Sequence, residues 1–223
     1  MTTTISVINQ KGGVGKTTTV INLATSLSIL GQNNLIIDLD PQGNATTELG
    51  RNNNDEENNI YNLLIKKIEL RDAIQKTQIK KIDIIWSHVN LSGLEVETAN
   101  DSRRAFVLKE ILTKENTGLL QKYDNIFIDC PPALSLLTIM SLVSSDELLV
   151  PLQTEFFALE GITQLIKTID RIKENLNPKL GIRGILLTMF DKRNKLSSEV
   201  DREARKYFKD KVYQTVIPRN VRL

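Results

Sequence analysis

The sequence predicts a doubly wound α/β fold, a mostly parallel sheet with helices on both faces. Three observations carry the prediction. Apolar runs of strand length alternate along the 223 residues with amphipathic segments of helix length. The strand-like runs are nearly continuous in apolar residues, as strands buried on both faces are. A glycine-rich loop follows the first such run and opens the first helical segment, a strand–loop–helix context.

In chain order, Thr3–Asn9 reads as a strand. Lys16–Leu30 reads as a helix, with Val20, Leu23, Ala24, Leu27 and Leu30 at helical spacing. Leu35–Leu39 is a short buried strand, and Ile79–Trp86 and Asp124–Asp129 are two more. Leu134–Val143 is expected to be helical, Glu147–Leu152 a strand, and Leu159–Leu176 a helix with Pro178 just past its end. Ile182–Met189 is a strand, Ser198–Phe208 a helix and Val212–Ile217 a last strand. The polar run Arg51–Asn59 (RNNNDEENN) reads as a mobile loop, and no internal repeat or domain boundary is evident.

Composition excludes several classes. Hydrophobic residues at 40% and charged residues at 25% are ordinary for a globular chain and argue against bulk disorder. A single cysteine, Cys130, forms no internal disulfide and no CxxC pair. The N-terminus has no basic segment before a short apolar run, so it does not read as a signal peptide. No apolar stretch reaches the ~18–20 residues of a membrane helix, and a cytoplasmic location is expected. The net charge of +2 hides an asymmetry: residues 179–223 carry 12 Lys/Arg against 5 Asp/Glu. A basic final segment on an acidic body points to a polyanionic partner, with a solvated helix face as the plain alternative.

The strongest motif is Lys11-Gly12-Gly13-Val14-Gly15-Lys16-Thr17-Thr18. Glycines let backbone N–H groups turn inward and cradle phosphate oxygens, and the following helix N-terminus favours the same anion. Lys16 is placed to reach β/γ-phosphates, and the Thr17 hydroxyl to bind Mg²⁺. The usual G-x-x-x-x-G-K-[ST] pattern wants glycine where Gln10 stands, and a second lysine, Lys11, opens the loop instead. Lys11 is either a solvated surface lysine or a second cation beside the triphosphate.

With these residues the chain resembles the ParA/MinD superfamily of ATPases, whose deviant Walker A motif is KGGVGKTT. IIDLDPQGNAT at 36–46, FIDCPPALSLLT at 127–138, FFALEG at 156–161, GILLTMF at 184–190 and VYQTVIPRNVRL at 212–223 look like its chromosome-partition branch, ParA/Soj. The resemblance implies a single P-loop ATPase domain over residues 1–223, shorter at the C-terminus than the family pattern. It implies ATP and Mg²⁺ as ligands, an ATP-dependent homodimer, non-specific DNA binding and a ParB-type centromere-binding partner that stimulates slow hydrolysis. It also implies that Lys11 crosses the dimer interface to the partner's phosphates.

The acidic candidates follow. Asp38 and Asp40 close the second strand, on the side where ligands bind to parallel sheets. The resemblance assigns Asp40 to orienting the attacking water; otherwise it caps the Asp40–Pro41 turn. Asp38 is then a supporting residue near Mg²⁺ or the switch loop. Asp129 ends an apolar strand, the placement of a Walker B carboxylate that reaches Mg²⁺ directly or through water. Cys130 reads as a small packed side chain, His88 as non-functional and Trp86 as core. Phe156 and Phe157 fit either the core or a subunit interface.

Met189, Pro218 and Asn220 are placed by the resemblance around adenine. Arg193, Arg219 and Arg222, in the basic segment, are the DNA candidates that the resemblance implies, and non-specific binding rests on phosphate charge; the alternative is that some pair with acids such as Asp191. Three rival readings exist. A MinD-like membrane-associated division regulator would need a C-terminal amphipathic helix that this sequence does not show. An iron–sulfur relative would need at least two cysteines. The third is a remnant that binds nucleotide without turnover.

Overall fold

The computed structural model describes residues 2–50, 57–113, 117–155 and 158–220. Its seven-stranded sheet has the order β3-β4-β2-β5-β1-β6-β7. The strands are β1 (Thr3–Val7), β2 (Asn34–Asp38), β3 (Ile74–Lys76), β4 (Ile82–Ile85), β5 (Asn125–Asp129), β6 (Glu147–Gln153) and β7 (Gly181–Thr188). All pairs are parallel except the edge pair β3–β4. The helices are α1 (Lys16–Ile29), α2 (Asn44–Glu48), α3 (Ile60–Leu64), α4 (Leu70–Ala73), α5 (Leu94–Glu97), α6 (Val107–Thr113), α7 (Thr117–Leu120), α8 (Leu136–Ser144), α9 (Ala158–Asn175) and α10 (Lys195–Phe208).

The period-2 alternation of strand side chains sorts the core into two clusters, one for each face. Phe127 joins Ile5, Val7 and Ile36 under Val20 and Ala24 of α1. Its neighbours Ile126 and Ile128 point the other way, into a larger cluster with Leu35, Ile37, Met140 of α8 and Leu165 of α9. Both faces are therefore covered, which is why the strand segments read as unbroken apolar runs.

The register aligns the ends of three strands. Val7 lies opposite Asp129, and Asp129 lies opposite Asp38. The loops after β1, β2 and β5 thus leave the sheet together at the carboxyl ends of its central strands, where doubly wound sheets bind ligands.

Three expectations are corrected. The strand expected from Ile79 begins only at Ile82, because Lys81 takes a left-handed φ of 66° and the Ile82 N–H closes a turn onto the Ile79 carbonyl. Val212–Ile217 is not a ladder strand: Val212 meets Ile185 of β7 in one isolated bridge, and a second joins Phe190 and Pro218 just past the ends of both. The Tyr213 N–H bonds the Ile185 carbonyl and the Ile217 N–H bonds Leu187, so the segment spends twice the residues that β7 does between the two bonds and bulges out of register. Its Tyr213 ring lies over Gly184, within 2.5 Å of where a Cβ would stand, a close approach that only glycine permits. Of the polar run Arg51–Asn59, residues 51–56 lie outside the described residues. Asn59 is buried and caps α3 by accepting the Asn62 N–H, so it is helix start rather than loop tip. Trp86 and Cys130 are buried as expected. Phe156 and Phe157 lie outside the described residues.

Candidate functional site

The loop between β1 and α1 turns through two left-handed glycines, Gly13 (φ 72°) and Gly15 (φ 90°), the latter capping α1. A side chain at either position would be strained, which is the physical reason for glycine here. The loop is anchored on both sides. The Thr188 hydroxyl at the end of β7 donates to the Val14 carbonyl (2.9 Å). Asn9 donates to the Pro151 carbonyl of β6 (2.7 Å) and accepts the Lys11 N–H (3.0 Å). Gly12 approaches Pro132, so the loop faces the segment after β5.

Lys16 begins α1 with its side chain folded back, Nζ donating to the Lys11 carbonyl at 3.0 Å. It is buried. Burial pushes its ammonium below the usual lysine range, against the opposing pull of Asp129, Cys130 and Asp40. Asp129 is fully buried, and both carboxylate oxygens lack a hydrogen-bond partner. Burial, followed by the Asp38 charge, raises its carboxyl well above the usual range; the nearby Thr17 hydroxyl, outside hydrogen-bond geometry, acts in the opposite direction.

Asp38 is differently placed. Its Oδ1 accepts the Asp40 N–H (3.2 Å), and its Oδ2 accepts the Thr46 N–H (2.8 Å) and hydroxyl (2.7 Å). Both oxygens serve the loop from 39 to 46, while the Asp38 charge also acts on Asp129. Burial still raises its carboxyl to about 6. Asp40 accepts the Gln42 N–H on Oδ1 (3.0 Å), the turn-capping contact expected of an Asp-Pro turn. Its other oxygen makes no hydrogen bond to a described residue, so the same carboxylate both caps the turn and keeps an acceptor open.

Lys11 is half-exposed and its ammonium is ion-paired with Glu155, just past β6. Glu155 was not legible as a site residue, since nothing in the sequence marks its approach to the loop. Cys130 donates to the Ser141 hydroxyl (3.2 Å), and burial pushes its thiol up to about 12, the signature of a packed rather than reactive cysteine. The His88 ring accepts the Asn90 N–H.

A cleft of about 640 Å³ opens between the end of β7 and the final segment, lined by Phe190, Asp191, Lys192, Arg193, Val216, Pro218 and Arg219. Pro218 is in it; Met189 and Asn220 are not among its lining residues. Met189 instead turns the chain, with a left-handed φ of 52°. Arg193 reaches Asp191 at 3.0 Å, the acid pairing foreseen as its alternative, yet the guanidinium remains 91% exposed. That pairing holds the Asp191 carboxyl below the usual range. Arg219 is exposed, and Arg222 lies outside the described residues. Among the described residues no cluster of three or more His, Cys, Asp or Glu side chains forms a protein-only metal centre, and no helix is long and apolar enough to cross a membrane.

This geometry is matched by the comparisons with known proteins. A family model described as an AAA domain matches residues 2–182. The chain is 46% identical over 219 residues to the chromosome partitioning protein ParA of Caulobacter vibrioides, covering 98% of this chain and 81% of that one. It is also 46% identical to the sporulation initiation inhibitor protein Soj of Bacillus subtilis, over 98% and 85% of the two chains. Among solved structures, cobyrinic acid a,c-diamide synthase of Mycobacterium smegmatis with bound ADP and magnesium superposes with a TM-score of 0.90. It shares 33% identity, over 99% of this chain and 88% of that one.

Proposed function

Since the chain belongs to the ParA/Soj family of P-loop partitioning ATPases, we propose that it is an ATP-driven DNA-partitioning protein. ATP binding drives homodimerisation and non-specific DNA binding. Hydrolysis to ADP and phosphate, slow alone and stimulated by a ParB-type partner, resets it. The location that follows is cytoplasmic, on the nucleoid.

One observation carries the nucleotide chemistry: a buried, unpartnered Asp129 carboxylate beside Thr17 and Lys16, at the mouth of a glycine loop. A buried charge without partners is costly unless a cation satisfies it. Mg²⁺ with phosphate oxygens fits this donor set, because it keeps several waters and takes few protein ligands. Thr17 and Asp129 would hold it, with Asp38 supporting the adjoining loop. Bound there, the ion would neutralise phosphate charge. Lys16 would turn from the Lys11 carbonyl to the phosphates, while the N–H groups of residues 12–18 cradle them. Asp40 would orient a water with its open oxygen. The cleft at Pro218 would take the adenine, with Met189 and Asn220 adjoining in sequence its lining residues Phe190 and Arg219. The exposed Arg193 and Arg219, with Arg222, would meet DNA phosphates.

The test is ATP turnover and duplex-DNA retention measured together, with and without ATP. The expected result is ATP-dependent, sequence-independent DNA binding and slow turnover. Nucleotide binding with no turnover under any condition would favour the remnant reading instead.

A further inference from the structure

We infer that Thr46 and Ser87 are positioning residues for hydrolysis, acting on Asp40 through a closed ring of hydrogen bonds. The inference rests on the reading of Asp40 as the water-orienting group. The ring has four members. Asp40 donates its N–H to Asp38 Oδ1 (3.2 Å). Asp38 Oδ2 accepts the Thr46 hydroxyl (2.7 Å). The same Thr46 oxygen accepts the Ser87 N–H (2.9 Å). Ser87 closes the circuit by donating its hydroxyl to the Asp40 carbonyl. The Gly43 N–H also reaches that carbonyl (2.8 Å), so the Asp40 peptide is held on both sides.

All four residues are buried: Asp38 and Thr46 at 0% exposure, Ser87 at 2% and Asp40 at 7%. Burial matters because hydrogen bonds away from water are stronger and costly to leave half-made. The ring ties together the end of β2, the start of α2 and the segment just after β4. Those segments are distant in sequence, Thr46 and Ser87 being 41 residues apart. None of the ring bonds consumes the open Asp40 oxygen. Their effect is to fix the backbone from which that carboxylate projects.

The donor inventory makes the demand on residue 46 specific. One hydroxyl must donate to Asp38 and accept from Ser87 at once. Serine can do both, and valine, of the same shape as threonine, can do neither. At residue 87 the hydroxyl donates to a carbonyl, which alanine cannot do. Displacement of a reacting group by about 1 Å can cost as much as 100-fold in rate. The phosphate loop itself, held by Asn9 and Thr188, is not part of the ring.

The experiment is steady-state ATP hydrolysis by the full chain with Mg²⁺, beside direct ATP binding, for T46V, T46S, S87A and D40A. Expected are a fall in kcat of roughly 10- to 100-fold for T46V and S87A, with the ATP Kd within about threefold of the parent. T46S should restore kcat to within about threefold. Equal loss of affinity and turnover in both variants, or failure of T46S to restore turnover, would mean the residues support only the fold and would overturn the inference. If T46V does not fold, S87A and T46S decide the question. D40A separates the two levels. Parent-like turnover in D40A removes Asp40 from catalysis, whereas loss in D40A with normal turnover in S87A and T46V leaves Asp40 in place and removes the ring.

Discussion

The Lys11 ammonium rests on the Glu155 carboxylate of its own chain, at the point where the phosphate loop meets the segment leaving β6. A lysine that is to reach a second molecule's phosphates must first leave this partner. The pair is half-exposed on the lysine side and 29% exposed on the glutamate side, so it is worth at most about 1 kcal/mol.

Replacing Glu155 with Gln should therefore favour the ATP-bound dimer modestly, by about fivefold or less. Lys11→Ala should bind nucleotide yet fail to dimerise. Sedimentation with a non-hydrolysable ATP analogue reads both. A Lys11→Ala chain that dimerises and turns over normally would make Lys11 a surface lysine held by Glu155 and nothing more.

Lys16→Ala should weaken ATP binding by at least about 100-fold, the loss of a charge-assisted contact in a buried setting. Asp40→Ala should leave ATP binding intact and slow hydrolysis by about 100-fold or more, accumulating an ATP-bound dimer, because a water-orienting group acts on the transition state. Calorimetry and a phosphate-release assay separate these two variants. Retained tight binding in the first would end the phosphate-loop assignment.

Asp129→Asn should stabilise the nucleotide-free protein at pH 8 while abolishing Mg²⁺-dependent ATP binding. The folded-state carboxyl is raised above its unfolded value of about 3.9, so the folded state holds the proton more tightly. Stability is then gained as pH falls through the folded value, and the cost of the bare carboxylate is present above it. The variant's advantage, about 1–2 kcal/mol, should shrink toward pH 5. Asp38 adds to the same window, its carboxyl lying at about 6. Thermal melts across pH 5–8 measure it, and an advantage independent of pH would mean that charge is not its source.

DNA affinity should fall steeply with salt, since counterion release from neutralised phosphates supplies it. Arg219→Ala should flatten the log–log slope by about one to two units per dimer, and Arg222→Ala likewise. Arg193→Ala should flatten it less, because Asp191 already shares its guanidinium. Asp191→Asn should strengthen binding. Salt titrations with ATP present test all four, and slopes unchanged in every arginine variant would move the DNA surface elsewhere.

Much of the fold was legible because buried parallel strands announce themselves as apolar runs, and because the glycine loop can be read from its residues alone. The final strand was misread for a local reason. Val212–Ile217 has strand composition, but its bonds to β7 skip register and its Tyr213 ring needs the gap at Gly184. The helix capped by Asn59 and the antiparallel β3 are short elements whose periodicity is too brief to read.

The sequence by itself determined the fold class and the glycine loop, and it named Lys16, Asp40 and Asp129 as candidates, because these depend on residue type and local spacing. Only the tertiary structure decided which partners those groups have. It tied Asp38 to Thr46, left Asp129 without a hydrogen bond, gave Lys11 to Glu155 and closed the Thr46–Ser87 ring. The Thr46–Ser87 and Lys11–Glu155 contacts join residues 41 and 144 positions apart. They arise from strand order and register, which set the carboxyl ends of β4, β2, β5 and β1 side by side, and no local pattern in the chain encodes that juxtaposition.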